Sequence, residues 1–319
     1  MSDQSYPFSL TLFEWTEYAV SDLKRRVLCN DLLEPEGPVC LPDGQIYTVE
    51  MANGRHCVSR IDSHGRRHLA GYPGGRPNGL ALDGDCNLWI AGGEGRRLVC
   101  MRPNGTIFNS IGGPDGQPFL WPNDLVFTED GLLYMTDSGI NPDTFVDGQK
   151  IRTDCRECKY DGRVFEIDSR TGCVLRMLDS GLRFPNGIVV DDDGFLYVSE
   201  TLTGNIYRYD LNSSVPLDRE IYGNVTVGSP EGFVGPDGMA FGDDGRLYCA
   251  VFGQGNITVL DHEGKVAERI STCGSRPTNI AFCEDSRGGA VVTILDVGCL
   301  EWLELSCRGK PLHRPRLLT

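Results

Sequence analysis

The sequence predicts an all-β protein, a six-bladed β-propeller with four-stranded blades, and three observations support that fold class. Alternating apolar residues flank an Asp/Gly turn, most clearly in residues 184–200, which is the pattern of a β-hairpin. This pattern occurs six times, and a second hairpin follows each copy, so every unit carries four short strands. The units recur at roughly the forty-residue period of propeller blades, and radial repetition protects the edges of their sheets.

Each copy enters its first strand through a short motif with a polar residue. In chain order, the six entries are Glu36-Gly37-Pro38, Arg76-Pro77-Asn78-Gly79, Trp121-Pro122-Asn123-Asp124, Phe184-Pro185-Asn186-Gly187, Gly235-Pro236-Asp237-Gly238 and Arg276-Pro277-Thr278-Asn279. The sixth copy departs most from the others.

Residues 1–319 are predicted to form one propeller domain after a lead-in over residues 1–25, within which residues 10–15 are the one candidate strand. The last unit ends near Pro311, short of a full outer strand, and residues 26–29 directly precede the first copy. We expect residues 26–29 to pair into the sixth blade and close the ring, which would remove an exposed sheet edge.

Composition narrows the function classes. The formal net charge of −15 disfavours nucleic acid and anionic membranes as partners, because both require a basic face. No run reaches the apolar length of a membrane span, and the first residues lack the features of a signal peptide. The 13 cysteines form no framework, so a reduced, cytoplasmic protein is expected. The sequence does not indicate an oligomeric state.

One insertion interrupts the repeat, in the third unit between its two strand pairs, over residues 138–162. The direction of the strands places it on the same face as the entries, where a long loop is often a lid or a specificity element. A merely tolerated insertion is the alternative. The insertion contains Cys155 and Cys158, a lone C-x-x-C pair without the second pair or histidines that a zinc site would need.

The entry residues predict a site at one end of the central channel. Inner strands that begin at the same height bring together a ring of oxygen donors without nitrogen or sulfur, namely Glu36, Asn78, Asn123, Asn186, Asp237 and Asn279. Two carboxylates and several amide oxygens match a hard divalent cation, and calcium is the first choice. Magnesium or manganese would also fit, whereas zinc is disfavoured by the lack of histidine.

Turn chemistry is the competing interpretation, because Asn-Gly and Asp-Gly are common turn residues. The copies are polar at every entry, yet they are not identical. A purely structural repeat gives no reason for Glu36 in the first copy and Asp237 in the fifth, which favours the metal site.

Four of these motifs, at Glu36, Asn123, Asn186 and Asp237, together resemble the senescence marker protein/gluconolactonase family, which includes regucalcin and bacterial aldonolactonases. The resemblance extends from about residue 34 to residue 311 and implies a propeller with one catalytic divalent metal. It also implies that Glu36, Asn186 and Asp237 bind the metal, and that Asn123 binds the metal or the substrate. The segments 123–126 and 134–137 are similar to the bacterial gluconolactonase branch.

The chain departs from the regucalcin-like members at Trp121, where they carry an arginine, and this suggests a more apolar or aromatic substrate. Asn78, Asn123, Trp121 and Asn279 are the predicted substrate-binding residues. The resemblance makes Asp237 the candidate general base, and Asp137, near the rim, is the alternative base. The predicted reaction is hydrolysis of a sugar-derived or aromatic lactone by an activated water at a metal-polarised carbonyl, with amides such as Asn78 stabilising the oxyanion.

Two other functions stay open at this point. The same metal could serve a phosphotriester or simple ester hydrolase. A propeller can also bind a partner without catalysis and hold a merely structural metal, because one fold hosts many functions.

Overall fold

The computed structural model describes residues 24–213, 218–283 and 288–317. These residues form six four-stranded antiparallel sheets and one two-stranded hairpin, which confirms the six-bladed propeller. The strand predicted at residues 10–15 lies outside the described residues. The one α-helix in these ranges, Pro142–Phe145, has four residues, so no described helix is long and apolar enough to cross a membrane.

The blades are numbered 1 to 6 in chain order, and their strands are given from the channel outward. Blade 1 contains Pro35–Cys40, Ile46–Glu50, Cys57–Ile61 and Arg67–Gly71. Blade 2 contains Leu80–Leu82, Leu88–Gly93, Arg97–Met101 and Ile107–Ile111. Blade 3 contains Pro122–Phe127, Leu132–Asp137, Gly162–Asp168 and Cys173–Leu182. Blade 4 contains Pro185–Val190, Phe195–Glu200, Asn205–Asp210 and Glu220–Asn224. Blade 5 contains Gly235–Phe241, Leu247–Phe252, Asn256–Leu260 and Val266–Ser271. Blade 6 contains Pro277–Phe282, Ala290–Ile294, Cys299–Leu303 and Arg25–Cys29.

The ring closes as predicted, through the first described strand. Arg25–Cys29 pairs antiparallel with Cys299–Leu303, with Arg26 opposite Trp302. The Arg26 guanidinium lies over the Trp302 ring, 5.0 Å from its centroid. The outer edge of Cys299–Leu303 is therefore paired within the chain, which protects it from edge-to-edge association.

Glycine follows the entry residue in four blades, and the close approach of neighbouring inner strands requires it. A Cβ built on Gly79 would lie 2.5 Å from the backbone oxygen of Asn123, and one on Gly187 would lie 2.3 Å from that of Asp237. Neither distance leaves room for a side chain. The glycines of the repeated motif are thus explained by strand packing around the axis.

The segment after blade 6 crosses the lower end of the channel. Gly309 bridges to Gly242 in blade 5, and the Gly84 N–H in blade 2 donates to the Pro315 carbonyl at 2.9 Å. Above this tail, residues 308–317, lies a cavity of about 560 Å³ whose walls are mainly apolar residues of the inner strands.

Candidate functional site

The upper end of the channel holds a small cavity of about 60 Å³ at the strand entries. It is lined by six of the predicted site residues, Glu36, Asn78, Trp121, Asn123, Asn186 and Asp237. In blades 3, 4 and 5 the pairing register shifts directly after the entry proline, so the entry residue leaves the regular ladder. In blade 1 the shift comes one residue later, after Glu36, which still pairs with Val49. This repeated irregularity turns one polar side chain per blade toward the axis.

Hydroxyl groups of the second strands fix the entry backbones. The Thr48 hydroxyl donates to the Glu36 carbonyl at 2.6 Å, and the Ser199 hydroxyl donates to the Asp237 carbonyl at 2.8 Å. All four residues are buried. The entries are therefore held by hydrogen bonds that leave their side chains free for the cavity.

Hydroxyl groups also orient the side chains of Asn123 and Asn186. The Asn123 amide donates through Nδ2 to Ser138 Oγ at 2.8 Å, and the Asn186 amide donates through Nδ2 to Thr201 Oγ1 at 3.2 Å. Each hydroxyl in turn donates to a proline carbonyl of the next blade. With its nitrogen held, the Asn123 amide presents its oxygen as the free atom, and this Oδ1 is buried without a hydrogen-bond partner. The Asn186 side chain also hydrogen-bonds to the Asp237 carboxylate.

Buried negative charge surrounds these oxygens. Glu36 is 3% exposed and Asp237 is 6% exposed, and neither forms an ion pair with a described cationic side chain. Burial raises the pKa of Glu36 well above its usual value, and the charges of Asp237 and Asp124 raise it further. Burial, followed by the charge of Asp124, does the same to the pKa of Asp237. A cation among these groups would relieve both the desolvation and the repulsion.

The donor set fits a hard divalent ion. Glu36 and Asp237 carry two negative charges, and the orphaned Asn123 Oδ1 is a buried acceptor that lacks a donor. Among the described residues, no three histidine, cysteine, aspartate or glutamate side chains are close enough to hold a metal by themselves. A cation at the entries would thus need the amide oxygens of Asn123 and Asn186.

The structure does not bring Asp137 into this cavity. Its Oδ1 accepts the Trp121 and Gly139 N–H groups at 2.8 and 3.1 Å, and its Oδ2 accepts the Leu120 N–H at 2.8 Å and Arg163 Nη2 at 2.7 Å. With its oxygens engaged in this way, Asp137 is poorly placed to act as the alternative base.

The contact of Asp137 with Leu120 belongs to a repeated structural device. In four blades, a carboxylate at or just after the end of the second strand accepts the N–H of the residue two positions before the entry proline. The pairs are Glu50 with Leu33, Asp137 with Leu120, Glu200 with Arg183 and Asp296 with Ser275. The acidic ends of these strands are visible in the sequence and could have identified Asp137 as structural.

Asn279 lies one layer below the predicted ring. Counted from the entry proline, the blade 6 residue that matches the other entries is Thr278, which lines the upper cavity, whereas Asn279 lines the lower one. The Asn279 amide donates through Nδ2 to Glu36 Oε2 at 3.2 Å and to Asp124 Oδ2 at 3.4 Å. It therefore supports Glu36 from below and does not reach the predicted substrate position.

Asp124 is the residue that sequence reasoning missed. It occupies the position that is glycine in blades 1, 2, 4 and 5, and its contact with Asn279 joins blade 3 to the opposite blade 6. Burial raises the pKa of Asp124 to about 6. A carboxylate in place of a repeated glycine was the available signal.

Aromatic side chains form one wall of the cavity above the oxygens. The Trp121 and Phe184 ring centroids are 5.4 Å apart, and those of Phe184 and Phe233 are 4.7 Å apart. The insertion contributes Phe145 and Ile151 to the lining, so part of residues 138–162 covers the strand entries.

These features define a class of protein, a six-bladed propeller with a buried, oxygen-lined site at one end of its channel. Residues 35–295 match the model of the SMP-30/gluconolactonase/LRE-like region family, and the chain belongs to that family.

Named relatives show how far the likeness extends. A gluconolactonase of Zymomonas mobilis is 28% identical over 285 residues, covering 81% of this chain and 75% of that protein. The structure of a gluconolactonase of Xanthomonas campestris superposes with a TM-score of 0.71 at 21% identity, covering 89% of this chain and 90% of the other. A regucalcin of Agrobacterium tumefaciens, described as a calcium-binding protein, superposes with a TM-score of 0.69 at 19% identity, covering 92% and 97%.

Proposed function

We propose that this protein hydrolyses a lactone with the help of one divalent cation held by Glu36, Asn123, Asn186 and Asp237. The observation that carries the proposal is the convergence of two unpaired buried carboxylates and the orphaned Asn123 oxygen on one cavity. Its relationship to the gluconolactonases of Zymomonas mobilis and Xanthomonas campestris supports a lactone as the substrate.

Calcium is the proposed ion. Carboxylate and amide oxygens are the donors that calcium prefers, and the related fold of a calcium-binding regucalcin supports the choice. Magnesium or manganese would suit the same donors. The cavity lining contains no histidine among the described residues, which disfavours zinc. When bound, the cation would supply Lewis acidity at the substrate carbonyl.

The residues around the cation have distinct roles in the proposal. Asp237 accepts the proton of the attacking water, because its carboxylate lines the cavity next to the proposed cation. Asn78, which also lines the cavity, donates its amide hydrogens to the oxyanion that forms on the carbonyl. Asp124 and Asn279 hold Glu36 from below, and Trp121 contacts the substrate from the side.

Chelation tests the proposal. Purified protein should hydrolyse members of a lactone panel, lose the activity to a chelator and regain it with calcium, magnesium or manganese. A phosphotriester and a simple aryl ester serve as comparison substrates. Activity that survives complete chelation would contradict the proposed role of the cation, and activity confined to the comparison substrates would contradict the lactone.

A further inference from the structure

The residue before each entry proline forms a layer above the oxygen donors. In blades 1 to 4 this residue lines the cavity, and the four side chains are Glu34, Arg76, Trp121 and Phe184. Two neighbouring blades therefore contribute charged groups and the next two contribute aromatic rings. The cavity has a polar side and an apolar side.

The charged groups on the polar side of the cavity mainly pair with each other. Arg76 donates through Nη2 to Glu34 Oε2 at 2.8 Å and through Nη1 to the Met51 carbonyl at 2.9 Å. Arg76 Nε is shielded from solvent and has no hydrogen-bond partner. Because Arg76 and Glu34 pair with each other, fewer of their polar atoms remain for a substrate.

The apolar side offers rings and one polar atom. Phe233 packs edge-on against Phe184 at 4.7 Å and against Phe252 at 5.6 Å between centroids. Trp121 Nε1, also buried, has no hydrogen-bond partner. A ligand with many hydroxyl groups would leave several of them unpaired against this wall, at a cost of about 1–3 kcal/mol each.

The insertion, residues 138–162, covers the apolar side of the cavity like a roof. Phe145, Val146 and Ile151 line the cavity from above, and the volume left is about 60 Å³. An apolar cavity that admits benzene is about 150 Å³, so the space beneath the insertion is smaller than a six-membered lactone needs.

The part of the roof that would move is the hairpin formed by Val146–Asp147 and Lys150–Ile151. At its tip, one hydrogen bond from Arg276 Nη1 to the Gln149 carbonyl, 3.3 Å long, reaches it from blade 6. The rest of the insertion is anchored more firmly, because Arg156 donates to the Leu202 and Gly232 carbonyls. Lifting the hairpin would uncover apolar side chains, which an apolar part of the substrate would cover again.

We propose that the substrate is a lactone with an apolar or aryl substituent, packed against Trp121, Phe184 and Phe233 beneath the 146–151 hairpin. This inference rests on the proposed lactone hydrolysis and commits it to one substrate class. A polyhydroxylated sugar lactone is the excluded alternative.

Two six-membered lactones with different substituents and different spontaneous rates of hydrolysis test the inference. The ratio of kcat/KM for δ-phenyl-δ-valerolactone to that for D-glucono-1,5-lactone is measured, each value divided by the rate of uncatalysed hydrolysis. We expect a ratio of at least about ten, the lower end for one well-buried apolar group. Phe233→Leu should reduce the ratio several-fold. Phe108→Leu, on the outer strand of blade 2 and 45% exposed, should leave it unchanged.

Calorimetry then measures how the lactam analogues of both lactones bind to the metal-loaded protein. This distinguishes a failure of the inferred apolar substrate from a failure of the proposed lactone hydrolysis. Equal or faster hydrolysis of the gluconolactone would overturn the inference and leave lactone hydrolysis standing. Failure to hydrolyse any lactone would overturn the proposed function. In that case, tighter binding of the phenyl lactam, weakened by Phe233→Leu, would still support the apolar site. Tighter binding of the sugar lactam, or binding of neither, would overturn it.

Discussion

At the scale of single residues, the carboxylates of this channel fall into two groups with opposite roles. Glu36 and Asp237 lie at the axis without cationic partners, whereas Asp137 and Glu50 are buried and paired with arginines. The first group carries repulsion that a cation would relieve. The second group holds the loops that lead into the inner strands.

Because of this contrast, we expect Glu36→Gln and Asp137→Asn to have opposite effects on stability and different effects on calcium affinity. Glu36→Gln should raise the thermal midpoint of the metal-free protein, because it removes a buried unpaired charge. It should weaken calcium binding by more than the roughly 10- to 100-fold that loss of an outer-sphere partner costs. Calcium titration by calorimetry and thermal unfolding in chelator provide the two readouts.

Asp137→Asn is the matched comparison. It leaves the Arg163 guanidinium, itself buried, without its carboxylate, and breaking such a pair costs about 3–5 kcal/mol. We expect lower stability with calcium affinity retained. Loss of calcium binding without loss of stability would show that Asp137 belongs to the site after all.

Sequence reasoning located four of the proposed donors because each follows a proline at a strand entry. It misplaced Asn279 because the sixth copy has two polar residues after its proline. Counting from Pro277, which pairs with Ile294, makes Thr278 the entry. A carboxylate in place of the repeated glycine marks Asp124 in the sequence, but its contact with Asn279 across the channel is visible only in the structure.

At the scale of elements, the tail covers the lower end of the inner strands, whereas the proposed metal site lies at their upper end. Its residues pack under the lower cavity, while Asp124 and Asn279 lie between that cavity and the entries. The tail is thus a structural cover that does not contact the proposed metal donors.

Truncation after Cys307 tests this division. Loss of the apolar contacts of Leu317 and its neighbours removes about 2 kcal/mol, and at about 2–4 °C per kcal/mol the thermal midpoint should fall by roughly 5 °C. Calcium affinity should change by less than about twofold, because the entries are untouched. A large loss of calcium affinity in the folded truncated protein would contradict the separation.

At the scale of the whole molecule, the repeated hairpins and the closing strand made the propeller predictable, because local sequence patterns indicate the strands and turns of each blade. The paths of the insertion and the tail were not predictable in the same way. The contacts of Arg276 with Gln149 and of Gly84 with Pro315 join segments far apart in the chain.

The buried carboxylates should make the stability of the metal-free protein depend on pH. A carboxyl whose pKa is higher in the folded than in the unfolded chain binds more protons when folded, so the free energy of unfolding falls as pH rises. For Asp124 the fall extends from about 4, the unfolded value, to about 6. Carboxyls with lowered pKa, such as Asp168 and Asp296, titrate below this range.

Urea unfolding in chelator, repeated between pH 4 and pH 7, measures this dependence. We expect stability to decline across that range, the decline to be smaller in Asp124→Asn, and added calcium to restore stability at pH 7. A free energy of unfolding that is constant or rises over the same range would show that burial does not raise the pKa values of these carboxyls.

The most direct test of the central claim is the location of a bound cation. Crystals soaked in manganese, which calcium should displace, allow the ion to be found by its anomalous scattering. We expect one peak at the upper end of the channel, surrounded by oxygens of Glu36, Asn123, Asn186 and Asp237. A peak elsewhere, or none at saturating manganese, would contradict it.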